Sequence, residues 1–350
     1  GMMSLINDSD QCIHHELSLC HTATSRMASA NPNMQNVPKT DDIRKLFISR
    51  FGEDGVLLET DYSQLEVVVL CALSQDPQMI ADIKNKVDFH CKRVTLMRPQ
   101  YSYEEVFQKA KKDKVQEFVD LRQKAKIFSF QRQYGAGVNK LSESTGLTKD
   151  EIRALIKNEE IVYSKVKDFY RLVEHSVNAW TAGLQDASRS SSGNYAYKGE
   201  FRVLTGTKFT FGQIERSAES LQKLQEFDKN VQPMGFLQTQ IKNYPIQGFA
   251  GEIVQVMLGR LWRHFVENQN YGGKAVLTNT VHDCVWIDCR KDVVHQVAED
   301  VKRILNSVQE VFNEKWPELK IQVPFSTETT VGTTMAGMKD IEKVEFKSSK

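Results

Sequence analysis

The 350-residue chain has no long apolar run. Its richest stretch, Val67 to Leu73, is far too short to cross a bilayer, which argues against a membrane function. Cysteine is sparse and shows no pattern. Cys12, Cys20, Cys71, Cys91, Cys284 and Cys289 make no C-x-x-C pair and no zinc-ligand spacing, so reduced thiols in a cytoplasmic setting are expected. A basic-then-apolar leader is also missing from the first residues. Eight prolines, 40% hydrophobic and 26% charged residues are the composition of an ordinary globular protein, and wholesale disorder is excluded. At roughly 150 residues per domain, two or three lobes fit in this length, or one body with sub-lobes, and a disulfide-stapled miniprotein does not.

The formal net charge of only +1 conceals an uneven distribution. From Phe107 to Lys140 there are nine Lys or Arg against three Asp or Glu, a local charge of +6. This stretch either faces an anion or forms the solvated side of a helix. Residues up to about His21 promise little structure, and Asn31 to Asp42, with two prolines and three asparagines, reads as a turn series. Gly55 to Thr60 reads as a buried strand entering Asp61, and Leu65 to Leu73 as a helix covering it. Helical periodicity then runs over Glu104–Lys112, Val115–Tyr134, Lys140–Thr145 and Thr148–Trp180, the last opening on a Thr148/Glu151 capping box. The Ser-rich run Ala187–Gly193 suggests a flexible tip, and Phe201–Phe211 a hairpin. Gly248–Phe265 reads as a helix, Ala275–Asp288 as two strands around His282-Asp283, Val293–Glu314 as an amphipathic helix and Ile321–Thr330 as a last strand. The order is α+β: an antiparallel sheet assembled from distant segments, with a helical block inserted in it.

Asp61 ends an apolar strand, and Asp283 sits at the turn of a hydrophobic hairpin. Each alone has an ordinary explanation, a helix cap for the first and turn chemistry for the second. Together, on adjacent strands, they are two hard oxygen ligands suited to Mg²⁺, which completes its shell with water and substrate phosphates. Two such ions could clamp an in-line displacement at phosphorus. Arg122, Lys126, Phe130 and Tyr134 recur every four residues and so share one helix face, cationic at one end and aromatic at the other. That order suits a nucleotide held lengthwise, phosphates on the cations and sugar or base on the rings. Gly135 and Gly137 then end the helix.

These residues resemble a known family. Asp61-Tyr-Ser-Gln-Leu-Glu66, Arg122-x3-Lys126-x3-Phe130-x3-Tyr134-Gly135 and His282-Asp283 are similar to motifs A, B and C of the family A DNA polymerases, the group of bacterial DNA polymerase I and several bacteriophage replicases. Thr22–Ser29 with Asn31–Pro38 resembles the stretch opening the palm, Asp88-Phe-His90 the Asp-x-His of the fingers, and Asn243–Gly248 the start of the long palm helix. The resemblance runs from about Thr22 to Gly332.

It implies a right-hand polymerase, an antiparallel palm sheet with covering helices and inserted helical fingers, with thumb and exonuclease domain absent. The implied segments are an N-terminal piece, 1–21, poorly structured or thumb-proximal; a first palm segment, 22–85; fingers, 86–195, with the motif B helix at about 115–134; and a second palm segment, 196–350. The implied function is template-directed DNA synthesis from deoxynucleoside triphosphates on primer-template DNA, by a fragment or one piece of a split polymerase. Asp61, Asp283 and the backbone carbonyl of Tyr62 would bind two Mg²⁺ ions. Arg122 and Lys126 would hold the triphosphate, Lys126 also donating a proton to pyrophosphate, with His90 and Gln64 assisting. Phe130 would pack on sugar and base, Tyr134 would guard the template position, and Glu66 would exclude a 2′-hydroxyl. Arg26, Asn243, Gln247 and His282 would contact DNA. A separate polypeptide carrying thumb and exonuclease lobes, or a processivity factor, is a further implied partner, and the setting is the cytoplasm of a bacterium or phage-infected host. Cys284 stands where the family usually has Glu, and Thr239 where an Arg is usual. A catalytically silent DNA-binding or assembly module of the same shape is the alternative; a related RNA polymerase is disfavoured by the bulk of Glu66.

Overall fold

A computed structural model describes residues 2–19, 21–133, 135–181, 188–189, 195–226 and 228–346. The chain divides into two compact units, one formed by residues 1–69 with 247–350 and the other by residues 70–246. Both crossings fall inside helices, Leu65–Ser74 and Gln238–Glu267. The segment boundaries expected from sequence were at 85 and 195 instead.

The first unit is built on a five-stranded sheet in the order Ala275–Val281, Cys284–Arg290, Gly55–Tyr62, Thr327–Gly332, Lys339–Asp340, with every neighbouring pair antiparallel. The central strand Gly55–Tyr62 reads as a near-continuous buried run, as a strand covered on both faces should. In its register Asp61 lies opposite Cys284 on one side and Glu328 on the other. The helix Val294–Asn306 buries Val294, Val297, Ala298, Val301, Ile304 and Leu305, a stripe at helical spacing. The Tyr62 hydroxyl donates to the Leu305 carbonyl at 2.8 Å, tying the strand end to that helix. Phe249 meets Phe312 edge to face, with ring centroids 5.8 Å apart.

The second unit is mostly helical. One core cluster joins Cys91, Val94, Val106, Ala110, Phe118 and Ala125, and a second joins Phe128, Leu141, Leu147, Ile152 and Leu155. The helix Gln116–Gln133 contributes to both through Phe118, Ala125 and Phe128, which leaves the adjoining side to Arg122, Lys126 and Phe130. The capping box expected at Thr148 and Glu151 forms. The hairpin takes the strands Lys198–Arg202 and Lys208–Gly212.

Four local expectations are corrected. The first residues are not featureless: Glu16–Ser18 pairs with Ala28–Ala30, a long-range match with no apolar alternation to announce it. The helix read from Gly248 starts at Gln238 and carries Pro245 in its interior. The amphipathic helix splits at Ser307, whose backbone N–H bonds the Ile304 carbonyl at 3.1 Å, into Val294–Asn306 and Val308–Lys315. The last strand begins at Thr327, because Pro324 offers no N–H and Asn313 Oδ1 accepts the Ile321 N–H at 2.8 Å. The expected Ser-rich tip lies largely outside the described residues.

Candidate active site

The strand Gly55–Tyr62 delivers Asp61 to its end, and the two-residue turn between Val281 and Cys284 delivers Asp283 on the neighbouring strand. The turn is tight: His282 takes a positive φ of 57°, and the Tyr62 N–H reaches the Asp283 carbonyl at 3.4 Å. Although Asp61 keeps an edge in solvent, lost hydration first, then Asp283, Glu59 and Glu328, push its carboxyl up to about 7. Burial likewise raises Asp283, against the opposing pull of its own backbone N–H, Arg26 and His282. A carboxylate pair that repels itself, Asp61 exposed and Asp283 half-buried, is a charge arrangement a cation would relieve. Among the described residues no three His, Cys, Asp or Glu side chains are grouped to hold a metal. Such a cluster is not required for Mg²⁺, which commonly binds through one or two carboxylates. The all-oxygen donor set of Asp61, Asp283 and the Tyr62 carbonyl therefore fits a hard divalent ion.

Two acidic residues beside the pair escaped the sequence reading. Glu59 lies two positions before Asp61 on the same strand face, and Glu328 is its cross-strand partner. The Cys284 thiol is pushed up by burial and by Glu59 and Asp61 and stays protonated. The i, i+2 spacing of Glu59 and Asp61 was a usable signal; the position of Glu328 depends on sheet register and had none.

Around the pair, Arg26 Nη2 donates to Glu66 Oε1 at 2.5 Å. Glu66 stands in the first turn of Leu65–Ser74, and Gln64 just before it is exposed with φ of 54°. A cavity of about 270 Å³ opens beside them, lined among others by Arg26, Asn36, Gln255, Thr280 and His282. His282 is exposed at its rim, and Gln247 lies half-buried in the same unit outside that lining.

In the helical unit, Arg122 grips Asp88 with two bonds, Nη2 to Oδ2 at 2.7 Å and Nε to Oδ1 at 3.3 Å. Burial alone would raise the Asp88 carboxyl; the Arg122 and Cys91 hydrogen bonds hold it below the usual range. Asp88 also caps the helix Phe89–Met97 through the Cys91 N–H. His90, on that helix, touches Ser129 Oγ at 3.2 Å. Burial, then Arg93, Arg122 and Lys126, hold its imidazole down to about 4 against the pull of Asp88, so it is neutral at pH 7. Lys126 is exposed, 5.9 Å from the ring centroid of Phe130, itself 51% exposed. Three members of the predicted stripe thus share one side of the helix; Tyr134 lies outside the described residues. Asn243 is half-buried with its Oδ1 unbonded.

The sheet unit thus carries two carboxylates at adjacent strand ends, and the helical unit that interrupts it in sequence carries a cationic and aromatic helix face. Residues 1–336 match the family model of DNA polymerase family A, and the chain belongs to that family. It is 28% identical to DNA polymerase I of Caldicellulosiruptor bescii over 306 residues, 85% of this chain and 30% of that protein. It is also 28% identical to the DNA polymerase of Bacillus phage SP01 over 363 residues, 97% of this chain and 34% of that protein. Among solved structures, the POL domain of Pol1 from M. smegmatis in complex with DNA primer-template and dNTP superposes with a TM-score of 0.65 at 19% identity, covering 95% of this chain and 50% of that one, a likeness of fold. The chain spans about a third of the length of these curated relatives. No described helix is long and apolar enough to cross a membrane.

Proposed function

We propose that the chain carries the nucleotidyl-transfer chemistry of a DNA polymerase, adding deoxynucleotides to a primer 3′ end on a DNA template. The observation that carries this is the Asp61/Asp283 pair on adjacent strands of a family A chain, each carboxyl raised and each without a basic partner at hydrogen-bond distance among the described residues. Asp61, Asp283 and the Tyr62 carbonyl would hold two Mg²⁺ ions, which when bound would activate the primer hydroxyl and neutralise charge developing on the phosphate. The sheet unit would be the palm and the helical unit the fingers.

Arg122 and Lys126 would bind the triphosphate, for which Arg122 must share or leave Asp88. Lys126, exposed and unburdened by a buried partner, would give its proton to departing pyrophosphate, and neutral His90 would donate an N–H to the phosphates. Phe130 would stack on sugar and base, Tyr134 would guard the template position, and Gln64 would lie by the nucleotide. Glu66 would crowd the sugar 2′ carbon. Arg26, His282, Gln247 and Asn243 would contact the primer-template.

Primer extension by the full chain with Mg²⁺ and deoxynucleotides tests this reading. Asp61→Asn and Asp283→Asn should each reduce incorporation by about a thousandfold or more, since metal charge stabilisation is worth several kcal/mol and each 1.36 kcal/mol is tenfold. Near-native extension by either variant would sink the assignment. DNA binding with no extension in any metal would point to a silent module of polymerase shape.

A further inference from the structure

We propose that Arg26 is a positioning residue for sugar selection: by holding the Glu66 carboxylate it fixes the bulk that rejects a 2′-hydroxyl. This rests on the gate role of Glu66 given above. A gate that works by bulk needs a side chain kept in one place, and a glutamate left to itself has several rotamers to explore. Here the Arg26–Glu66 bond of 2.5 Å lies in surroundings that leave the two side chains only 26% and 17% exposed. A charge-assisted bond shielded to that degree holds geometry better than an exposed surface pair.

The arginine is itself anchored. Thr22 Oγ1 donates to the Arg26 carbonyl at 2.8 Å, and the Gln255 side-chain amide donates to the Ser25 carbonyl. Gly251, on the same helix as Gln255, lies so close that a Cβ there would come within 3.3 Å of Arg26 Cγ and of the Ser25 and Thr24 carbonyls. Ser25 and Gln64, each preceding one partner of the pair by one or two residues, both take positive φ, 56° and 54°. Non-glycine residues in that region are kept where the surroundings impose them. The strand-end segment and the helix start are thus both set so that the two side chains meet.

Arginine presents five N–H donors in a rigid fork, so holding Glu66 with one leaves others for the cavity beside it, where Asn36, Thr280 and His282 stand. Removing the guanidinium would take away the charge-assisted bond that opposes the upward push of burial and Asp283 on the Glu66 carboxyl.

The test measures binding of a deoxynucleotide and of the matching ribonucleotide to the full chain on a dideoxy-terminated primer-template, at saturating DNA. Glu66→Ala, Arg26→Ala and Arg26→Lys are compared with the native chain, each first checked for native thermal unfolding. Both alanine variants should lose about tenfold in deoxy-over-ribo preference, the loss expected when a charge-assisted bond orienting the gate is removed, and Arg26→Lys should recover part of it. Relaxed preference in Glu66→Ala with native preference in Arg26→Ala would overturn the positioning role while leaving the gate intact. Native preference in Glu66→Ala would overturn the gate, and this inference with it. Should Arg26→Ala not fold, Arg26→Gln, which keeps a donor but no charge, takes its place, and native selectivity there overturns the proposal equally.

Discussion

Asp61 is costly to the folded chain at neutral pH. Its carboxyl sits at about 7 against an ordinary 3.8, so the native state holds a proton that the unfolded chain has already lost. The cost accumulates as pH rises from the ordinary carboxylate range through about 7 and is absent in acid. Asp61→Asn should therefore stabilise the chain at pH 8 and leave it unchanged at pH 4; for a group partly in solvent, a gain of about 1 kcal/mol is the appropriate scale. Thermal unfolding at the two pH values checks this. The same shift makes cation binding pH-linked: binding should weaken as pH falls through 7 and should release protons at pH 7. Calorimetric titration with Mn²⁺ in two buffers of different ionisation enthalpy measures that release. Glu59→Gln should move the midpoint to lower pH, and an unmoved midpoint would show that Glu59 does not act on Asp61. Asp61 stood out in the sequence because it ends an apolar strand, and Asp283 because it sits at the turn of an apolar hairpin. Glu328 was not, because which residue faces Asp61 across the sheet is decided by pairing between segments more than 260 residues apart.

At the scale of the element, the helix Gln116–Gln133 separates two kinds of cation. Arg122 is bonded twice to a half-buried Asp88 that also caps a neighbouring helix, whereas Lys126 is exposed. Arg122→Ala should raise the nucleotide KM and also cost about 1 to 3 kcal/mol of stability, because it strands a partly buried carboxylate. Lys126→Ala should lower kcat with the unfolding midpoint unchanged. Steady-state kinetics and denaturant melts on both variants separate the roles; equal stability in both would mean the Asp88 bond contributes nothing to folding. The four-residue spacing made the helix and the shared side of Arg122, Lys126 and Phe130 readable from sequence. Asp88 as the partner of Arg122 was not, since that bond spans two helices joined by a long excursion. Helix ends proved harder than helix existence: Pro245 lies inside a helix where it was expected near a start, and Ser307 breaks one that reads as continuous.

For the whole molecule, the mixed architecture with an interrupting helical block was legible from the order of strand and helix patterns, while the positions of the unit boundaries were not, because both fall in unbroken helices that carry no linker composition. The basic window belongs to the helical unit, and Lys112 and Lys114 within it are exposed. If they meet DNA phosphates, replacing both by Gln should weaken primer-template binding about equally for all sequences and flatten the salt slope by about two. Fluorescence anisotropy across a salt series reads this, and an unchanged slope removes them from the interface.

The central strand Gly55–Tyr62 has partners on both sides that come from the far end of the chain, Cys284–Arg290 and Thr327–Gly332. On a ribosome making about 5 to 20 residues per second, that strand emerges tens of seconds before either partner exists. Throughout that interval a run of Val, Leu and Leu waits with both hydrogen-bonding edges open, while residues 70–246, contiguous in the chain, emerge complete and free to collapse on themselves. Of the five strands of that sheet, the one that carries Asp61 is thus made first and waits longest for its first partner, which makes it the segment of the nascent chain most in need of a chaperone's cover.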